Sequence, residues 1–109
     1  MTIESSRQGK AAVVTVSGRI DPTTAPRFEQ VCRESLEGVN YLVVDVAGLE
    51  YISSVGLRSF VLLAKSLQGA GGAVLLCGMK GLVKEVFDMT HLTSLFRTFD
   101  SVDAALATL

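Results

Sequence analysis

Two adjacent hydroxyls, Ser53 and Ser54, are the side chains best placed for chemistry in this chain. They follow an apolar run, Tyr41 to Val46, that carries one acid, Asp45, and then the stretch Ala47-Gly48-Leu49-Glu50-Tyr51-Ile52. They precede a helical pattern from Val55 to Gln68. Serine suits an N-cap because its oxygen accepts from backbone N–H groups that the first helical turn leaves without partners. The same helix end carries the positive pole of the macrodipole. The two hydroxyls therefore stand where an anion is well received.

The other candidate side chains assemble no catalytic set. A serine hydrolase needs a base oriented toward its serine. The single histidine, His91, follows Phe87-Asp88-Met89-Thr90 at the end of a helical pattern, a place for positive φ or C-capping. Asp21, just before Pro22, suits a turn or loop-bracing role as well as a functional one. Gly78-Met79-Lys80-Gly81 and the Gly69–Gly72 run lack the Walker A spacing and its Lys-Ser/Thr ending. Cys32 and Cys77 lie in apolar segments without metal-like spacing and read as small buried hydrophobes. No enzyme activity, metal or cofactor is expected.

The elements that must position the serines alternate along the chain. Thr2 to Gln8 reads as an edge strand, with Gly9-Lys10 as the turn after it. Ala11 to Ser17, Tyr41 to Val46 and Ala73 to Cys77 read as the central, buried strands, and Leu95 to Phe99 as a short one. Between them, Ala25, Phe28, Val31, Cys32 and Leu36 recur at helical spacing, with Thr23 or Thr24 as cap, Pro26 in the first turn and Gly38 as stop. Gly81 to Met89 forms a further helix with Leu82, Val83, Val86 and Phe87 inward, and Asp100 or Ser101 caps a last one to about Leu106. The expected fold is α/β, a single domain over residues 1–109. Its sheet is mixed and mainly parallel, of about five strands with about four helices. Loops at the carboxyl ends of parallel strands form the usual functional edge. The loops Gly18–Thr24, Ala47–Ser54 and Gly78–Lys80 should gather there, bringing Asp21 near the serine pair.

Composition narrows the function classes. The formal net charge is −1 over 109 residues, 49% of them hydrophobic, which argues against a nucleic-acid binder with a basic face. The N-terminus, MTIESSRQGK, lacks a basic flank followed by an apolar core, so no signal peptide is expected. Arg58 and Lys65 break the richest apolar stretch, so no membrane insertion is expected either. A cytoplasmic location follows.

The helix after the serines carries more. At about 100° per residue, Gly56, Leu57, Phe60, Val61, Leu63, Ala64 and Leu67 share one broad arc and face the core. Arg58, Ser59, Lys65 and Ser66 share the other, with Val55 and Leu62 in its middle. Single exposed hydrophobes are ordinary. Beside the serine pair, these two read as anchors for a partner.

The stretch Asp45-Val-Ala-Gly-Leu-Glu-Tyr-Ile-Ser53-Ser54-Val-Gly56-Leu57-Arg58 resembles the signature of STAS domains, the anti-sigma factor antagonist family. Gly18-Arg19-Ile20-Asp21 and Val86-Phe87-Asp88-Met89-Thr90-His91-Leu92 agree with the wider pattern. The resemblance implies a partner-switching cycle. The partner is an anti-sigma factor with serine kinase activity, which binds the unphosphorylated antagonist and then phosphorylates it. A metal-dependent serine phosphatase reverses the modification. Aligned on Gly56-Leu57, the modified position falls on Ser54, with Ser53 as a secondary candidate. Ser53 replaces the aspartate of the frequent Asp-Ser-Ser-Gly pattern, and Val55 replaces its second serine. The partner-binding set that follows is Asp21, Ser53, Ser54, Val55, Gly56, Arg58 and Leu62. The competing class is a STAS adaptor without a phosphorylation cycle, as a subunit of a phospholipid-transport ATPase complex or a stressosome-type scaffold.

Overall fold

A computed structural model describes residues 1–109. Five strands run β1 (Thr2–Gln8), β2 (Ala11–Ile20), β3 (Tyr41–Ile52), β4 (Ala73–Cys77) and β5 (Arg97–Phe99). Four α-helices are α1 (Ala25–Ser35), α2 (Ser54–Gly69), α3 (Gly81–Met89) and α4 (Val102–Leu106), and a 3-10 turn spans Leu92–Leu95. The strands lie in one sheet in chain order, β1-β2-β3-β4-β5. β1 pairs antiparallel with β2, and every other neighbour is parallel. The expected mixed, mainly parallel α/β domain is therefore present, with β1 at an edge.

Strands that add in chain order, joined by right-handed crossovers, put their crossover helices on one face. That face carries the main core. It joins Val14, Val16, Leu42, Val44, Val74 and Leu76 of the sheet to Phe28 of α1, Phe60 and Leu63 of α2, and Phe87 of α3, all essentially inaccessible. Rings lock the three helices together. Phe60 lies 4.7 Å from Phe28, 5.6 Å from Phe87 in an edge contact, and 6.3 Å from Phe96. Each such side chain contributes roughly 1.5–3 kcal/mol by leaving water. The opposite face has a smaller core of Ala11, Val13, Val43, Leu75 and Cys77, covered by Ala105 of α4. No helix is long and apolar enough to cross a membrane.

Several local expectations need correction. The stretch read as the loop Ala47–Ser54 is strand as far as Ile52, and the loop Gly18–Thr24 is shortened to Asp21–Thr24, because β2 and β3 continue pairing to Ile20↔Ile52 across two register shifts. Gly48 permits this, since a Cβ there would lie 2.9 Å from the Ser17 Cβ. The last strand begins at Arg97 rather than Leu95, because Leu92–Leu95 forms the 3-10 turn. Leu82, expected inward, is 53% exposed, whereas Val83 and Phe87 are buried and Val86 packs against the core as expected. Thr24 precedes α1 but its side chain makes no capping bond. Its hydroxyl points back to the Arg19 carbonyl and the Asp21 backbone N–H, while Asp21 Oδ1 accepts from the N–H groups of Thr23 and Thr24. His91 takes the left-handed conformation, φ 59°, just past α3, as its position suggested.

Candidate functional site

The serine turn is built by the sheet. The Ser53 N–H donates to the Ile20 carbonyl at 2.8 Å, so the end of β2 holds the entry to α2. Ser53 is the N-cap, and its Oγ accepts from the Gly56 N–H at 3.2 Å. Gly56 lets the first turn sit down on the strand ends. A Cβ there would lie 2.7 Å from Ile20 Cγ2 and 2.8 Å from Ile52 Cγ1. These contacts separate the two hydroxyls. Ser53 is only 7% exposed and its oxygen is occupied, whereas Ser54, the first helical residue, is exposed and has no side-chain hydrogen bond.

Local hydrogen bonds order the edge around the turn. No group of three His, Cys, Asp or Glu side chains gathers anywhere in the molecule. Asp21 braces its own loop. The Thr24 backbone N–H foremost, joined by the Thr23 N–H, the Thr24 hydroxyl and the charge of Arg19, holds its carboxyl below the ordinary value of 3.8, against the opposing effect of desolvation, which is second only to the Thr24 N–H. Asp45 is likewise spent locally, accepting from the Ala47 N–H at 3.0 Å where β3 shifts register. The two acids share no hydrogen bond and form no carboxylate pair. Arg19 lies 4.2 Å over the ring of Tyr51, its register partner across β2 and β3.

Beyond the serines, α2 and α1 flank a groove of about 530 Å³, lined in part by Pro26, Glu29 and Arg33 of α1 and by Val55, Arg58 and Leu62 of α2. Val55 is 42% exposed and Leu62 38%, while Phe60, Ala64 and Leu67 are buried, as the helical spacing indicated. Ser59 departs from that spacing. Helical spacing puts it on the polar arc, yet it is buried and donates to the Val55 carbonyl at 3.3 Å, because it lies in the floor between the two helices. The α1 wall, with its Glu29–Arg33 ion pair of 3.0 Å, was not singled out by sequence reasoning. Its charged residues look like an ordinary exposed helix face, and only the packing of α1 against α2 makes them a wall. Neither thiol lines the groove. Burial first, with Glu29 helping, pushes Cys32 up to about 12; burial first, with Asp45 helping, pushes Cys77 up to about 11.

Comparison with known proteins agrees with this geometry. BtrV of Bordetella bronchiseptica, assigned as an anti-sigma factor antagonist, is 33% identical over 96 residues, covering 87% of this chain and 83% of that protein. The anti-sigma-B factor antagonist of Staphylococcus aureus is 26% identical over 94% of this chain and 96% of its own length. The crystal structure of an anti-sigma factor antagonist from Mycobacterium paratuberculosis superposes with a TM-score of 0.87 at 27% identity, covering 98% of this chain and 92% of that one. The family model for the STAS domain matches residues 2–105, from the first strand through the serine turn and into the last helix, and this chain accordingly belongs to the STAS domain family.

Proposed function

We propose that this chain is an anti-sigma factor antagonist that docks on an anti-sigma factor with serine kinase activity, and that phosphorylation of Ser54 breaks the complex. The observation that carries this reading is the division of labour between adjacent serines. Ser53 is buried as a cap, and Ser54 offers a free, exposed hydroxyl next in sequence to Val55, which with Leu62 forms the two exposed apolar anchors of the groove. In the transfer, the Ser54 oxygen bonds to the γ-phosphorus of ATP held by the partner. The bond from that phosphorus to the ADP oxygen breaks, and the hydroxyl proton passes to a base on the kinase. This chain supplies the hydroxyl and a fold that tolerates the product at a helix N-terminus.

Docking rests on Val55 and Leu62 as apolar contacts, with Arg58 beside them and Asp21 bracing the neighbouring loop. Gly56 seats the first turn so that Ser54 faces outward. A phosphate adds about −1.5 to −2 charge at the rim of this surface. A loss of two to three kcal/mol lowers partner affinity on the order of a hundredfold. A metal-dependent serine phosphatase hydrolyses the ester and restores the docking form. A cytoplasmic location accompanies this role.

The test is phosphopeptide mass spectrometry after incubation with ATP and the kinase recovered from the native cell by pull-down. Phosphate is expected on Ser54. Ser54→Ala is expected to abolish incorporation while keeping the kinase bound, and Ser54→Asp to fold normally and bind weakly. Phosphate on Ser53 alone would move the site by one residue. A stable complex with no phosphate on either serine would replace this reading with that of an adaptor subunit.

A further inference from the structure

We propose that Arg58 is the internal partner of the Ser54 phosphate: modification draws its guanidinium out of the α1–α2 groove and onto the phosphoserine. The inference rests on Ser54 as the modified residue and goes beyond it to the conformational consequence. Ser54 and Arg58 are four residues apart on α2 and both exposed, so their Cβ atoms are neighbours on one helix face. The order is the favourable one, anion toward the N-terminus and cation toward the C-terminus. Oppositely charged residues at this spacing close elsewhere in the same molecule, Glu29–Arg33 at 3.0 Å and Lys84–Asp88 at 2.9 Å.

Arg58 is free to respond. It forms no ion pair and no hydrogen bond, and α2, SVGLRSFVLLAKSLQG, contains no acidic residue at all. A cation near the helix start opposes the macrodipole and has no acid on its own helix to offset it. Phosphorylation provides that anion, and the planar guanidinium can meet two phosphate oxygens through a fixed fork of parallel N–H donors, a geometry an ammonium lacks. In the unmodified chain Arg58 instead lines the groove beside Val55 and Leu62. The other charged groups lining the groove are Glu29, Arg33 and Glu34 on α1, while Arg19 near the end of β2 and Asp21 just past it flank Ile20, whose carbonyl holds the Ser53 N–H. Glu29 and Arg33 hold each other, and Asp21 is engaged by Thr23 and Thr24. Phosphorylation therefore changes the docking groove twice. It adds an anion beside Val55 and removes one of the two cations, Arg33 and Arg58, that line the groove.

The test uses the full chain with phosphoserine installed at position 54 during translation, which makes it independent of any kinase. Phosphorus NMR titration would compare this protein with its Arg58→Gln and Arg58→Lys forms. With Arg58 present the phosphate dianion is expected to take up a proton at a pH about half a unit lower than in Arg58→Gln, corresponding to a fraction of a kcal/mol. Arg58→Lys should recover part of that difference, and 0.5 M salt, roughly, should shrink it. The Arg58 Nε–H resonance should also move between the Ser54 and phosphoserine forms, a reading that needs no substitution. Identical titration in all three proteins, with a stationary Arg58 resonance, would overturn the pairing. Failure of the kinase assay alone would overturn only the identity of the modified serine in the cell.

Discussion

At the scale of single residues, the serine turn separates support from function between two side chains that share a chemistry. Ser53 spends its oxygen on the Gly56 N–H, and Ser54 spends nothing. Ser53→Ala is expected to cost about 1 kcal/mol, the usual value of a lost N-cap. Ser54→Ala should leave stability nearly unchanged, since its hydroxyl makes no bond in the fold. Urea denaturation of the two variants against the parent chain distinguishes them. Equal losses would mean that the cap had been assigned to the wrong residue. Gly56 completes this unit through absence, because any side chain there would strike Ile20 and Ile52 at the point where helix meets sheet.

At the scale of elements, α2 has two working faces separated by half a turn. One is pinned by Phe60, Leu63 and Leu67 against the sheet and the other helices. The other presents Val55 and Leu62 over the groove formed with α1. Leu62→Glu should therefore move the thermal midpoint by only a few degrees, as expected for an exposed position. The same change places a carboxylate in the docking face and should weaken kinase binding at least tenfold, roughly, by calorimetry. A collapse of the thermal midpoint in this variant would show that Leu62 belongs to the core. The exposed Leu82 and Met89 of α3 lie on a separate helix and should tolerate the same replacement without loss of binding.

At the scale of the molecule, the sheet separates two cores of unequal protection, and each contains one cysteine. Cys32 lies in the large core under α1, whereas Cys77 lies in the small core covered by the five residues of α4. Both thiols are buried and shifted far above the pH of ordinary labelling, so the native protein should react slowly with a disulfide reagent near pH 8. Local opening of a short terminal helix costs less than opening the main core. Cys77 should therefore be labelled first and Cys32 only with global unfolding, which peptide mapping over a time course would reveal. Simultaneous labelling would mean that the two cores open as one unit.

Much of this architecture is legible along the chain because its signals are local. The valine-rich runs at Val13–Val16 and Val43–Val46 can only be buried strands. The paired serines before an apolar helical pattern mark an N-cap, and the spacing of Phe60, Ala64 and Leu67 names the buried side of α2. The continuation of β2 and β3 to Ile20 and Ile52 was not legible, because it depends on pairing across register shifts with residues some thirty positions away. Burial of Ser59 and exposure of Leu82 were equally hidden, since helical spacing gives an angle around an axis but not what stands at that angle. Sequence alone determined that a hydroxyl pair opens an amphipathic helix. Tertiary structure decided which hydroxyl is reachable, because only the Ile20 carbonyl and the close seat of Gly56 turn Ser53 inward and leave Ser54 facing out.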